Sequence, residues 1–106
     1  MAKKRRPRAA RRELQRREEK LDRARERLAD LAPGGAPERA IDVESASQVE
    51  VEAANRPCPR CGGPIRVDEH AAETVGAARL RVARVSCARC GASRQIWFRL
   101  GGSLPS

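Results

Sequence analysis

Aromatic side chains are nearly missing: the 106 residues include one Phe, one Trp and no Tyr. Leu, Ile and Val are also scarce, and much of the 40% hydrophobic fraction is Ala. Ala contributes little buried area, so a large core is excluded, and an ordered unit this small needs a staple. No run approaches the roughly 20 apolar residues of a membrane span. The basic start Lys3-Lys4-Arg5-Arg6 is followed by Pro7, arginines and glutamates rather than an apolar stretch, so no secretory signal is read there. A cytoplasmic location is expected, or a nuclear one in a eukaryote. There is one histidine, His70, beside Glu69 and near Glu73. It reads as a solvated residue of a hairpin loop, with a general base as the alternative. No serine has a His/Asp constellation, and Gly34-Gly35 and Gly62-Gly63 belong to a linker and a turn rather than a phosphate loop. The expectation is a protein that is not an enzyme, with no membrane partner and no small-molecule substrate.

Against these absences stand four cysteines in two Cys-x-x-Cys pairs, Cys58/Cys61 and Cys87/Cys90. Two sulfurs three positions apart on a tight turn grip one ion, and two such turns complete a tetrahedron of thiolates. A reducing compartment keeps the thiols available for metal. The alternatives are two disulfides or a redox-active dithiol. The expected cofactor is one structural Zn2+ held by Cys58, Cys61, Cys87 and Cys90. A closed four-sulfur site has no position for water or substrate, which argues against metal catalysis. Gly62 and Gly91, each following a pair, permit the left-handed backbone that such a turn needs.

The segments Cys58-Pro59-Arg60-Cys61-Gly62 and Cys87-Ala88-Arg89-Cys90-Gly91, with strand patterns between and after them, resemble the zinc-ribbon family. The resemblance covers roughly residues 49–100. It implies zinc knuckles carried on β-hairpins, as in ribbons of transcription and translation proteins, and it leaves the function open because ribbons serve DNA, RNA and protein partners alike. Rubredoxin-type iron sites use similar turns but enclose the metal with several aromatics, and here only Trp97 and Phe98 are present.

The expected fold class is a small zinc-stapled β domain of antiparallel hairpins with an N-terminal amphipathic, coiled-coil-like helix. Residues 1–8 read as a disordered basic tail. Over residues 9–32, Ala10, Leu14, Leu21, Ala24, Leu28 and Leu31 recur at helical spacing, and Pro33-Gly34-Gly35 ends the helix. Leu14, Leu21 and Leu28 occupy one heptad position, and Arg17, Ala24 and Leu31 the other, which is a weak coiled coil. A single charged helix is the competing reading. Residues 33–40 form a linker, 41–100 the zinc-ribbon β domain, and 101–106 a frayed, disordered end. Within the domain, the alternation of Ile41, Val43, Val49, Val51 and Ala53 with acids and Gln48 predicts one strand or two short ones. Ile65/Val67, Leu80/Val82 and Ile96/Phe98/Leu100 predict three more strands, with His70–Ala78 as the loop between the first two.

Net charge is +9, which suits a polyanionic partner. Residues 1–27 carry 13 Lys/Arg against five Asp/Glu, 28–55 one against six, and 56–106 nine against three. Nucleic acid, DNA or RNA, is the expected partner. It is contacted by the basic arm at Lys3, Lys4, Arg5 and Arg6 and by a ribbon face of Arg79, Arg81 and Arg99, with Arg66 beside them and Trp97 placed to stack a base. The alternative for Trp97 is cover for a thin core. The alternative for the protein is an adaptor whose helix, residues 9–32, pairs with itself or with a protein partner.

Overall fold

The computed structural model describes residues 8–101; residues 1–7 of the tail expected at 1–8, with Lys3, Lys4, Arg5 and Arg6, and the last five residues lie outside them, while Arg8, expected in that tail, opens a helix. Helix α1 runs Arg8–Leu31 and stops, as expected, before Pro33-Gly34-Gly35. A single 3-10 turn at Pro37–Arg39 leads into strand β1, Ile41–Val43. Helix α2, Ala46–Ala54, follows, and then β2 (Ile65–Val75), β3 (Ala78–Cys87) and β4 (Ser93–Leu100). The four strands form one sheet in the order β1-β4-β3-β2. β2, β3 and β4 are antiparallel neighbours, whereas β1 lies parallel to β4 at the edge, pairing Ile41 with Phe98.

Two expectations need correction. The stretch through Val49, Val51 and Ala53 is a helix, not a strand. Val49 and Ala53 stand four apart, one helical turn, and both are fully buried, whereas Val51 is 60% exposed. Local chemistry starts the helix: Ser45 and Gln48 form a capping box, and Gln48 Oε1 accepts the Glu44 and Ser45 backbone N–H groups at 2.6 and 3.3 Å. The second correction is the loop expected at His70–Ala78. β2 continues to Val75, and Gly76-Ala77 alone turns the chain into β3. His70 to Val75 pair with Ala83 to Ala78 across that ladder, so backbone pairing holds a stretch whose side chains show no clear alternation.

Both faces of the sheet carry a small core. On one, Ala83, Val85, Ile96 and Phe98 pack with Val43 and with Val49 and Ala53 of α2. On the other, Leu80, Val82 and Trp97 meet Ala40, Ala71 and Ala78. The irregular pattern of β3 now has a cause. Its buried side changes between Val82 and Ala83, from the tryptophan face to the helix-covered face.

Helix α1 contributes no buried residue. Leu21, Leu28 and Leu31 are 49, 68 and 66% exposed. The leucines at helical spacing are therefore exposed, and among the described residues none is buried against another element. Phe98→Ala should cost about 3–5 kcal/mol in chemical denaturation, the usual range for removing a fully buried ring. Leu28→Ala should stay within about 0.5 kcal/mol, as exposed substitutions do. Equal losses at the two positions would place the core elsewhere.

Candidate metal centre

The first cysteine turn lies between α2 and β2, and the second joins β3 to β4. Each is folded by the same pair of backbone hydrogen bonds. Gly62 N–H donates to Cys58 O at 2.7 Å and Cys58 N–H to Gly63 O at 3.0 Å; in the second turn, Gly91 N–H donates to Cys87 O at 3.0 Å and Cys87 N–H to Ala92 O at 2.9 Å. Closing so tight a turn requires positive φ after the second cysteine, and Gly62 and Gly91 adopt 74° and 78°. The turns are tied to each other where Ala88 N–H donates to Pro64 O at 3.0 Å.

This arrangement brings the sulfurs of Cys58, Cys61, Cys87 and Cys90 to within 4.8 Å of one another. All four cysteines are free, with Cys58 and Cys87 buried and Cys61 and Cys90 toward the surface. Cys58 and Cys90 Sγ are 3.7 Å apart, and Cys61 and Cys87 Sγ 3.4 Å. Four sulfurs at about 2.3 Å from a central zinc ion stand about 3.8 Å apart along each tetrahedral edge. The donor set, the count and these separations therefore fit one tetrahedral cation with all positions taken by protein.

Backbone donors surround the sulfurs. Gly63 N–H lies 3.3 Å from Cys61 Sγ, and the N–H groups of Arg89 and Cys90 lie 3.3 and 3.4 Å from Cys87 Sγ. The Cys87 thiol is drawn down to about 6, first by the Cys90 N–H and then, against burial, by the Arg89 N–H and the neighbouring thiols. For Cys61 the Gly63 N–H pulls down, but the hydrogen bond to Cys87, burial and the other two thiols outweigh it and raise the thiol to about 11. One sulfur is thus poised as thiolate while its partner holds the shared proton. To hold a cation, all four must give up their protons.

The four cysteines named from the sequence do come together, but the part played by Gly63 was missed. A β-carbon there would sit 3.1 Å from both Cys61 and Cys87 Sγ and 3.0 Å from the Arg89 Cβ. The Gly62-Gly63 doublet was the available signal. Also missed were the partners of Arg60, whose guanidinium reaches back to α1 and lies 3.0 Å from Asp22 and 3.2 Å from Glu26. Arg25 of the helix donates to Arg60 O at 3.2 Å, and Arg39 makes two bonds to Asp30 O. The Asp22 hydrogen bond and charge shift Arg60 further toward its protonated form, with lesser contributions from Glu26 and Cys90. A cleft of about 350 Å³, lined by Glu26, Asp30, Arg60, Ile65, Arg94 and Trp97 among others, remains between this end of α1 and the sheet. The helix is tethered by charge rather than packed.

The arginine face does not assemble as expected. Arg81 pairs with Phe98, so Arg79 and Arg81 share the phenylalanine side of the sheet and Arg99 points to the opposite side. Arg99 sits 3.5 Å from Asp42, and Arg66 lies 3.2 Å from Asp68. Trp97 does share the side of Arg99, but it is only 8% exposed and belongs to the core beside Leu80 and Val82. Its ring is core and cleft wall, not a stacking platform. His70 is a strand residue, its ring 3.3 Å from Glu50 of α2, and not a loop histidine.

No protein-family model, curated protein sequence or solved structure matches the chain.

Cys87 ionises at about 6 in the fold and at 9.0 as a free thiol. Its contribution to stability is complete above the free value and lost as pH falls through about 6. Cys61 acts in the opposite sense, its contribution lost as pH rises toward about 11. A cation held by these sulfurs competes with protons for all four, so acidifying the metal-loaded protein should release metal and lower helix and sheet signal together. Loss of metal with no change in helix and sheet signal would contradict a site coupled to folding. Gly63→Ala should weaken metal binding by about 10-fold or more in a chelator competition, the scale seen when groups supporting a metal ligand are disturbed. Val51→Ala, at an exposed position of α2, should leave metal affinity unchanged.

Proposed function

We propose that the protein is a zinc-ribbon module that binds nucleic acid through its basic N-terminal segment. Four sulfurs at tetrahedral separations, delivered by two like-folded turns, support the zinc reading. A site closed by four protein sulfurs serves structure, so the protein is not an enzyme on this reading, and the metal's role is to hold two turns of a thin core together. The zinc requires a reducing compartment such as the cytoplasm.

The nucleic-acid reading is supported by charge. The first 27 residues hold 13 of the 23 Lys/Arg, and α1 carries its share with no residue buried. Contacts of this kind give affinity without sequence preference. The arginines of the sheet are divided between its two faces, which leaves the arm and α1 as the contacting element.

A second reading has its own observation. Leu21, Leu28 and Leu31 are exposed along one side of α1 and suit a protein partner or a second copy of the helix. That adaptor reading predicts a dimer or hetero-complex that dissociates on Leu21→Asp.

Native mass spectrometry should find one zinc per chain. Anisotropy with labelled duplex DNA and RNA should show binding at about 50 mM salt that falls by orders of magnitude at about 200 mM, as release of counterions demands. Sedimentation of the same sample should show a monomer. A dimer without nucleic-acid affinity would replace this reading with the adaptor.

A further inference from the structure

Five of the basic residues of α1 lie on one side, although Arg8 and Arg11 share the side of the acids and Glu13, Glu19 and Asp30 border the basic one. At 3.6 residues per turn, Arg12, Arg16, Lys20, Arg23 and Arg27 fall within an arc of roughly 80°. All five are exposed, and none of them forms an ion pair among the described residues. The acids Glu18, Asp22 and Glu26 repeat every four residues on the neighbouring arc. That arc faces the first cysteine turn, where Asp22 and Glu26 are engaged by Arg60 at 3.0 and 3.2 Å. Leu14, Leu21 and Leu28 mark a third side. Arg60 thus holds Asp22 and Glu26 inward and leaves the basic arc away from the cysteine turn.

From Arg12 to Arg27 the helix rises roughly 22 Å at about 1.5 Å per residue. A duplex rises about 3.4 Å per base pair along its axis, so that length runs alongside about six base pairs. The only aromatic residues in the chain are Trp97 and Phe98, and both are buried at 8 and 0% exposure. Neither ring is open to stack an unpaired base, so α1 offers charge on a straight rod, which favours a duplex.

We propose that Arg12, Arg16, Lys20, Arg23 and Arg27 form one track on α1 for the phosphate backbone of a nucleic-acid duplex. This rests on the nucleic-acid reading above and names the surface that carries it. The track binds without regard to base sequence, and its register toward the ribbon is held by the Arg60 contacts to Asp22 and Glu26.

The test compares two charge-matched variants of the full chain by anisotropy with a short labelled duplex, across about 50 to 200 mM salt. R16Q/K20Q/R23Q removes three residues of the track. R66Q/R79Q/R99Q removes three exposed arginines of the sheet, outside the arm and α1. Zinc stoichiometry and circular dichroism confirm that both variants fold as the parent does. Each lost phosphate contact lowers the slope of log K against log salt by about 0.9, so the first variant should lose about 2.7 from its slope. The second should keep the parent slope within one contact. Equal losses in the two variants would show that net charge alone acts and would overturn the track while leaving nucleic-acid binding intact. An unchanged slope in the first variant would do the same. Absence of duplex binding by the parent protein would overturn both the track and the reading it rests on.

Discussion

Two short turns, 26 to 32 residues apart along the chain, are brought sulfur to sulfur, and the rest of the ordered structure is arranged around that junction. The core cannot do this alone. Its largest fully buried side chains are one Phe and three Val, spread over two faces of one sheet. Apolar burial on this scale leaves a small domain marginal, because ordering the backbone costs about as much as such a core returns. Binding an ion only in the folded state adds its free energy to folding directly. The turns are built for that purpose: each is closed by its own two hydrogen bonds, and together they present N–H groups to the sulfur atoms that must bear negative charge.

A second constraint acts outside the core. Helix α1 has a leucine stripe, yet it meets the domain through its acidic side. Asp22 and Glu26 find Arg60, and Arg39 finds a carbonyl near the helix end. Partly exposed pairs of this kind are individually weak, worth a fraction of a kcal/mol to about 1 kcal/mol. Several converging on one turn still select which side of the helix faces inward. Because Arg60 lies between Cys58 and Cys61, the helix is oriented by the same turn that holds two of the four sulfurs. The cysteine cluster and the charged helix are in this sense linked, with the junction of the two turns at one end and the basic helix extending from it.

Some of this was legible in the residues and some was not. The spacing of Cys58, Cys61, Cys87 and Cys90 announced a metal site because ligand geometry is local: two residues between cysteines set the bite whatever the fold. The extent of α1 was legible for the same reason, since an uninterrupted helical stripe ended by Pro33-Gly34-Gly35 needs no distant partner. α2 was misread because Val49, Val51 and Ala53 satisfy a period of two, while Val49 and Ala53 alone satisfy a helical turn. The Ser45-to-Gln48 capping box was the signal that separates the two. The loop expected at His70–Ala78 was misread because strand pairing there is dictated by β3 rather than by the side chains of β2.

What the amino-acid order determined by itself is the chemistry available: four thiols at gripping distance, glycines where the backbone must turn left-handed, a charged helix, and too few rings to build a core or a base-stacking surface. What only the tertiary structure decided is which groups meet. The β3–β4 register put Arg99 on the opposite face from Arg79 and Arg81, packed Trp97 into the interior, and set Arg60 against the acids of α1. Register and docking are sums over contacts between segments far apart in the chain, so no window of sequence contains them.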